Sequence, residues 1–484
     1  MNHPNDWITC SSRSGTRRSI YCPPGNSCQT RMTGNEPQVK FPIGKQINNC
    51  GCTQRTFAED SEWTLATVPS LHTICLEHIA DNFTQNPILH KLTDKQKAKV
   101  LLRLSTRLPL SITVPFVHDE DYWRRCFSKR WENCDIMDHG NSWKQAFTER
   151  HLKELIEQFV PNVTSPETIM DVVLLYRDYV HHLCIEQLLP HIQDSYSPLV
   201  NVGTFDSGKK RDMVDWRKAQ VKSYDHFDFT LILDKLCCLQ ELSLTYGVKR
   251  CGMNFEWALF TFTEHDCLSL AKALQICKTL SVLRLRRSQV TDERLDVLLE
   301  HLRDHPSLLE LDLGYNAIGD QGVCSIAQVI GTRLRCLTLC DNRIGRSGAH
   351  ALALLLTRTC MLHSLDLQLN YLGDAGCQAI AGALAGNSSL VKLCLDANNL
   401  TEISATSLSH ALAQNTMLQT LSLTSNRLGQ VGGKVLQEGM VENGSLLELD
   451  LRFTEVGEET EWNVRKVLQG NREHWRILSG LPVS

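Results

Sequence analysis

The chain has 484 residues, which is enough for roughly two or three domains. Hydrophobic residues make up 42% and charged residues 21%, a balance typical of a folded protein in water. A formal charge of −4 gives no electrostatic reason to expect a nucleic-acid or membrane partner. The N-terminus lacks an apolar signal segment, and no long apolar run occurs, so we expect a cytoplasmic protein without a membrane span.

Residues 1–65 are rich in Ser, Thr, Asn, Gly and Pro and follow no helix or strand period, which predicts a disordered tail. Cysteines of this tail are Cys10, Cys22, Cys28, Cys50 and Cys52. Their spacings miss the C-x2–4-C pairs that are typical of zinc sites. We therefore favour a solvated tail over a metal site, and we predict no metal and no cofactor.

A helical domain is predicted over residues 66–197. Apolar residues recur at helical spacing, for example over 97–108. Aromatic residues that we expect to form the domain core are Tyr122, Trp123, Phe127, Trp131, Trp143 and Phe147. Leu71, Cys75 and Ile79 form a further stripe at i, i+4 and i+8, and we expect this stripe to pack inside the same core.

Candidate chemistry in the middle of the chain is weak. We place His181, His182 and Cys184 on an apolar helix, as packed or surface side chains and not as metal ligands. Residues 198–226 have the composition of a connector, and their GTFDSGKK segment resembles a phosphate loop. Lys210 stands where that loop needs a hydroxyl residue, so no nucleotide binding is expected. No H-E-x-x-H or G-x-S-x-G motif occurs, and we predict that the chain is not an enzyme.

Residues 227–484 repeat one motif, L-x-x-L-x-L-x-x-N-x-L. Its first leucines are Leu239, in a divergent copy, and then Leu280, Leu308, Leu334, Leu362, Leu390, Leu418 and Leu446. From Leu280 onward the spacing is 28 residues, except for 26 residues after Leu308, which is typical of leucine-rich repeats. Alternating leucines have strand period and should point inward, with Leu311, Leu313, Leu337, Leu339, Leu365, Leu367, Leu393 and Leu395 buried. Each Asn of the motif should satisfy backbone groups where the chain leaves the strand.

Helical spacing follows each turn, as in residues 373–384, where Asp374 could cap the helix. The repeat is therefore a strand plus a full helix, and the fold class is α/β. Because helices are wider than strands, stacked repeats should curve into a ribonuclease-inhibitor-type horseshoe, with parallel strands inside and helices outside. Residues 464–478 should cap its end. The cysteines of repeat helices, such as Cys324 and Cys377, should be reduced and packed.

A curved sheet of this kind presents an extended binding surface. Its inward strand positions carry more carboxylates than cations, which suits a basic partner, while large side chains lie one step further along, at the rim. Rim anchors could also include Tyr246. The predicted protein-binding residues are Arg284, Arg286, Glu310, Asp312, Tyr315, Asp366, Leu369, Asp396, Asp450 and Phe453.

The helical segment 70–159 carries a more specific signal. It contains SLHTICLEHIADNF, ILHKLTDKQKAKVLLRL, DEDYWRRCFSKRW and SWKQAFTERHLKELIEQF. These segments, and their order before the repeats, resemble the dynein regulatory complex subunit 5 family, also called T-complex-associated testis-expressed proteins. The resemblance implies a non-catalytic scaffold of the nexin-dynein regulatory complex, in the axoneme of motile cilia and sperm flagella. It implies partners among the other subunits of that complex and axonemal proteins, and a part in regulating dynein-driven sliding and motility.

A second hypothesis belongs to another class. Leu71, Cys75 and Ile79 match the L-x3-C-x3-[AILV] helix by which ubiquitin-ligase substrate receptors dock on elongin, and leucine-rich repeats of such receptors bind substrates. However, Leu92 precedes Thr93, so no L-P cullin-box signal follows. We expect the stripe to be domain core, and we rank the axonemal scaffold above the ligase receptor.

Overall fold

The computed structural model describes residues 57–58, 66–67, 69–132, 135–161, 163–188, 226–249, 260–329, 333–358 and 361–479. It contains two compact units, Met1–Pro69 and Ser70–Ser484. In the first unit, β1 (Phe57–Ala58) pairs antiparallel with β2 (Ala66–Thr67), so the predicted disorder is wrong for residues 57–58. The five tail cysteines, the GTFDSGKK segment and the predicted connector up to residue 225 lie outside the described residues.

Six helices precede the repeats in the described part of the second unit, as predicted for this region. They are α1 (Leu71–Asp81), α2 (Asp94–Arg103), α3 (Leu110–Phe116), α4 (Glu120–Ser128), α5 (Trp143–Glu157) and α6 (Pro166–Tyr176). The predicted aromatic core is confirmed: Trp123 is fully buried, and its ring centroid lies 5.0 Å from that of Phe147. Its indole Nε1 donates to the Val117 carbonyl oxygen at 2.9 Å, so the ring is fixed by a hydrogen bond as well as by packing.

The predicted packing of the α1 stripe is wrong for Leu71 and Cys75, whereas Ile79 is half-buried and packs against the core as predicted. Leu71 is 77% exposed and Cys75 is exposed, while Leu76 and Ala80 face the core. Helix α1 has apolar residues on two sides, so their spacing alone does not show which side is buried. The exposed side leaves the L-x3-C pair accessible.

The strands of the second unit form one nine-stranded parallel sheet. They are β3 (His182–Ile185), β4 (Glu241–Leu244), β5 (Val282–Leu285), β6 (Glu310–Asp312), β7 (Cys336–Thr338), β8 (Ser364–Asp366), β9 (Lys392–Cys394), β10 (Thr420–Ser422) and β11 (Glu448–Asp450). Each strand pairs with its sequence neighbours, in the order β3 to β11. The predicted leucine-rich-repeat horseshoe is thereby confirmed.

Helices alternate with the repeat strands and cover the outer face of the sheet. They are α7 (Glu264–Ile276), α8 (Asp292–Leu302), α9 (Asp320–Val329), α10 (Arg346–Thr357), α11 (Gly373–Ala385), α12 (Glu402–Gln414), α13 (Gly429–Met440) and α14 (Glu458–Ser479). All eight leucines predicted to point inward are 0–1% exposed. Helix α14 buries Val464 and Leu468 at the end of the array, so the predicted C-terminal cap is confirmed.

The motif asparagines form a ladder along the edge where strands end. Asn370 is representative: its Nδ2 donates to the carbonyl oxygens of Leu339 and Leu367 at 2.9 and 3.0 Å, and its Oδ1 accepts from the N–H of Ile344 at 3.1 Å. One side chain thus satisfies backbone groups of two successive repeats, as predicted. The equivalent asparagines are Asn316, Asn342, Asn398 and Asn426.

A second asparagine ladder, which the sequence analysis missed, runs along the opposite edge. Its members recur every 28 residues: Asn387, Asn415, Asn443 and Asn471. Asn415 Nδ2 donates to the carbonyl oxygens of Leu384 and Asn387 at 2.7 and 2.9 Å, and its Oδ1 accepts from the N–H of Leu418 at 2.8 Å. The recurrence of Asn three residues before a first leucine was the available signal.

Two predicted local features differ in the structure. His182 and Cys184 lie on strand β3 and not on a helix, so the sheet begins before the predicted start of the repeats at residue 227. Asp374 does not cap its own helix; its carboxylate accepts from the N–H of Thr401 at 2.8 Å and from the Ser404 hydroxyl at 2.5 Å, in the next repeat. In both cases a long-range partner decides the role of the residue.

Two carboxylates of α5 bond the backbone around strand β3: Glu157 accepts from the N–H of Glu186 at 2.8 Å, and Glu149 holds the start of the strand. Glu149, on α5, is 3% exposed, and its Oε1 accepts from the N–H groups of His181 and His182 at 2.8 Å each. Gln145 Nε2 donates to the same oxygen at 2.9 Å, and His139 Nδ1 lies 2.5 Å from Oε2. The Glu149 carboxylate therefore connects three segments, which makes α5 and the sheet one packed structure.

Candidate protein-binding surface

Alternate strand positions form the concave face, as the motif predicts. In strands β3 to β10 the leucines are buried, whereas Leu449 of β11 is half-buried. The residues between the leucines are half-buried or exposed, except for the buried Asp312. Strand β3 extends this face by one strand, through His182 and the exposed Cys184. In the residues that the structure describes, no group of three or more His, Cys, Asp or Glu side chains could hold a metal ion.

At the N-terminal end of the face, the predicted charges neutralise one another. Arg284 donates to Glu310 Oε1 from Nε at 3.1 Å and from Nη2 at 2.9 Å, and it also pairs with Glu241. Arg286 pairs with the buried carboxylate of Asp312, and this hydrogen bond raises the pKa of Arg286. Asp312 is therefore not a free contact residue, because its carboxylate is buried and already paired with the exposed guanidinium of Arg286.

In the centre of the face, the predicted residues Asp366 and Asp396 are half-buried. Asp366 accepts from the N–H of Gln368 at 3.0 Å. Asp396 accepts from the Ser422 hydroxyl at 2.5 Å and from the N–H of Thr424 at 2.8 Å. These donors are neutral, and neither carboxylate forms an ion pair with another described residue. The acidic character of the face is therefore concentrated here.

At the C-terminal end, Asp450 lies beside Arg452. The guanidinium donates to both carboxylate oxygens, with Nε at 2.9 Å from Oδ1 and Nη2 at 2.6 Å from Oδ2. The hydrogen bond from Arg452 lowers the pKa of Asp450. This pair is exposed to solvent, so we assign it little stabilising energy.

The rim positions directly precede the Asn position of the motif, which Ser288 and Thr454 occupy in the repeats that start at Leu280 and Leu446. The rim residues are Arg287, Tyr315, Asp341, Leu369, Ala397, Ser425 and Phe453, with φ between 50° and 60°. The turn imposes this left-handed backbone in each repeat, and it is costly for large side chains but tolerated by Asn. Leu369 is nevertheless 42% exposed and Phe453 80% exposed. Burial of these two large side chains therefore contributes little to stability, although a small polar residue would fit the left-handed backbone better.

Two further rim predictions have different outcomes. Tyr315 is half-buried, and its ring is covered by the Arg287 guanidinium, 4.8 Å from the ring centroid. Tyr246 is 1% exposed and packs against His226 and Phe262, so it is core and not an anchor. Tyr371, 66% exposed beside Leu369, is an additional large rim side chain that the motif alone did not single out.

The fold and this surface define a leucine-rich-repeat protein of the horseshoe type. A family model described as Leucine Rich repeat matches residues 304–327, 359–381 and 414–436. The chain is 43% identical over 310 residues to dynein regulatory complex subunit 5 of Homo sapiens and 42% identical over 302 residues to that of Mus musculus. These alignments cover 63% and 62% of this chain, and 60% and 58% of the relatives.

A more distant relative bears the same name. Dynein regulatory complex subunit 5 of Chlamydomonas reinhardtii is 30% identical over 230 residues, which cover 47% of this chain and 50% of the relative. The predicted resemblance to this family is thereby confirmed. The chain spans about three fifths of the length of the mammalian relatives.

Proposed function

We propose that the chain is a non-catalytic scaffold subunit of the nexin-dynein regulatory complex, in the axoneme of motile cilia and flagella. The similarity to relatives named dynein regulatory complex subunit 5 supports this assignment. In this role the chain would contact other subunits of the complex and axonemal proteins, helping to link doublet microtubules and to regulate dynein-driven sliding. Among the described helices, none is both long and apolar enough to cross a membrane.

The rim carries the binding part of this proposal. Leu369 and Phe453 expose apolar side chains from a left-handed backbone that favours Asn, so folding alone gives no reason for their size. Exposed apolar side chains on a rigid scaffold are suited to act as binding anchors. The carboxylates of Asp366 and Asp396 form no ion pair with another described residue, lie on the adjoining concave face and would orient a basic partner.

The test replaces Leu369 and Phe453 together with Asn. Because Asn tolerates the left-handed backbone, we expect the Tm to be unchanged or higher. Loss of two anchors at ~1–2 kcal/mol each should weaken incorporation into the axonemal complex at least ~10-fold. The readout is the amount of tagged chain that co-purifies with the regulatory complex from cells that build motile cilia.

The matched control replaces Ala397 and Ser425 with Asn. These residues hold the same rim position in the two repeats between Leu369 and Phe453, but they present no large side chain. The control chain should be incorporated like the parent. Equal incorporation of both double variants would exclude the rim as the interface, whereas absence of the parent chain from the axoneme would reject the scaffold proposal itself.

One observation supports the second candidate function, a substrate receptor of a ubiquitin ligase that docks on elongin. Leu71 and Cys75 of the elongin-type motif are exposed on α1, and Ile74 beside them is 43% exposed. A docking helix needs such an accessible face. We expect elongin to be recovered with the parent chain, and lost on Leu71→Ser, if the chain is a ligase receptor. Leu102→Ser, on α2 and 72% exposed, is the control; no recovery with the parent removes this candidate.

A further inference from the structure

Exposed apolar side chains cross the outer side of the last four repeats. They are Tyr371 in the turn before α11, Ile403 on α12, Val431 on α13 and Trp462 on α14, and each is 58–66% exposed. Each repeat contributes one of them, at 9, 13, 13 and 16 residues after its first leucine. Because the repeats stack in register, these four side chains form one oblique row, which we call the outer stripe.

Folding does not require apolar residues in the outer stripe. Earlier in the array, the positions that match Ile403 and Val431 carry exposed polar side chains in three repeats: Glu293, Gln321 and Ser347. Isolated exposed apolar residues are common on protein surfaces, but a contiguous row of them is typical of a contact site. Ile and Val also have a lower helix propensity than Gln. Ile403 and Val431 therefore stabilise neither the core nor the helices that carry them.

The charges beside the outer stripe are predominantly negative. Residues 369–379, 397–407, 425–435 and 453–463, which surround it, contain two cations, Arg427 and Lys434, and six carboxylates: Asp374, Glu402, Glu455, Glu458, Glu459 and Glu461. Acidic residues in the first turn of α14 also stabilise that helix, but they still repel an acidic partner. A second copy that docked through its own outer stripe would bring like charges together. This surface therefore fits a basic partner.

The geometry favours a helix over an extended segment as the occupant. Strands β8 to β10 are paired on both edges, so an extended segment would find no strand to join here. Its own N–H and C=O groups would face apolar side chains without partners, whereas a helix satisfies them internally. Neighbouring helix axes lie ~8–10 Å apart, and seven residues of a helix span ~10.5 Å. A helix crossing α12 and α13 thus meets Ile403 and Val431 with side chains about seven residues apart.

We propose that the outer stripe binds an amphipathic helix of a partner protein, with apolar residues on one face and Lys or Arg beside them. The apolar face covers the stripe, and the cations face the surrounding carboxylates, most of which lie near Trp462. This inference rests on the proposed function, because it names the kind of partner that would extend the rim contact onto the helices.

The first experiment uses a synthetic helical peptide of about 21 residues, with Leu at heptad positions a and d, Lys beside them and Ala elsewhere. Its counterpart has Glu in place of each Lys. Fluorescence anisotropy measures binding of both peptides to the full chain. We expect a Kd of ~10–100 µM for the Lys peptide and at least ~10-fold weaker binding of the Glu peptide. Equal affinities would overturn the proposal.

Replacing Ile403 and Val431 together with Gln locates the bound peptide. Because Gln is the better helix former, the Tm should be unchanged or higher, while the affinity for the Lys peptide should fall at least ~5-fold. Leu354→Gln is the control, since Leu354 is 62% exposed on α10, outside the stripe, and this variant should bind like the parent.

A third variant separates the outer stripe from the acidic concave face. Asp366→Asn with Asp396→Asn removes the charge of that face and should leave the affinity for the Lys peptide within ~2-fold of the parent. If this variant loses the peptide while the Ile403 and Val431 double variant retains it, the peptide binds in the concave face, and the assignment to the stripe fails.

Photo-cross-linking tests the helix in the assembled complex. Benzoylphenylalanine replaces Ile403 or Val431 of the tagged chain in cells that build motile cilia. We expect both positions to cross-link to one partner segment, at residues ~7 apart. A separation of ~3 residues would indicate an extended segment, and cross-links to another copy would indicate self-association. Either result, or no protein cross-link from an incorporated chain, contradicts the proposal.

Failure of this inference can be distinguished from failure of the proposed function. If the parent chain is absent from the axoneme, the scaffold proposal fails, whereas the peptide measurements on the isolated chain still decide whether the stripe binds a basic helix. If the parent is incorporated but neither position cross-links as expected, the scaffold proposal stands and the assignment of the outer stripe is wrong.

Discussion

Replacing Leu367 with Ala should lower the free energy of unfolding by ~2–5 kcal/mol. Leu367 follows strand β8 and is fully buried, and Leu339 and Leu395 hold the same motif position in the flanking repeats and are also fully buried. All three belong to one hydrophobic cluster, so the removed methyl groups leave a void in a seam that adjacent repeats share. Urea denaturation followed by circular dichroism measures the change.

The control for this experiment is Leu354→Ala. Leu354 lies on α10, in the same part of the array, but is 62% exposed. Its truncation should change the free energy of unfolding by less than ~0.5 kcal/mol. If Leu367→Ala were as mild as this control, the inward orientation of the motif leucines would be wrong.

Replacing Glu149 with Gln should lower the free energy of unfolding by ~3–5 kcal/mol. The carboxylate is an acceptor for the N–H groups of His181 and His182 and for the side chain of Gln145. An amide has one oxygen where the carboxylate has two, and it turns an N–H group toward donors that then lack a partner. We therefore expect the contact between α5 and strand β3 to be lost before the rest of the fold.

The same carboxylate predicts a pH dependence. Burial by itself raises the pKa of Glu149, but the hydrogen bonds from His139, from His182 and from the backbone outweigh it and lower the pKa to about 2. A group whose folded-state pKa is depressed stabilises the fold above its unfolded pKa. The stability difference between the parent and the Glu149→Gln variant should therefore be complete above pH ~4.5 and shrink as the pH falls toward ~2.

Glu154→Gln, on the same helix, is the control for both measurements, because no hydrogen bond of its side chain connects α5 to the sheet among the described contacts. It should unfold like the parent at each pH. A Glu149→Gln chain with parent-like stability at pH 7 would show that packing and Glu157 hold this contact without Glu149.

Elements with a fixed local pattern could be predicted from the sequence. The motif leucines and asparagines recur at nearly constant spacing along the chain. Each copy of the motif therefore supports the assignment of the others. Strand β3 could not be recognised in this way. It has four residues and no motif, and its partner β4 starts 59 residues after it, so only the assembled sheet shows it to be a strand.

For the candidate binding surface, too, some properties follow from the local sequence pattern and others from tertiary contacts. The sequence by itself determined which residues face the concave side and the rim, because strand alternation and the turn before each Asn set these directions locally. Tertiary structure alone decided which of them are free. Arg286 and Asp312 come from neighbouring strands and neutralise each other, and Tyr246 is buried against Phe262. These outcomes depend on contacts between segments that are distant in the chain, and a one-dimensional pattern does not contain the distances between them.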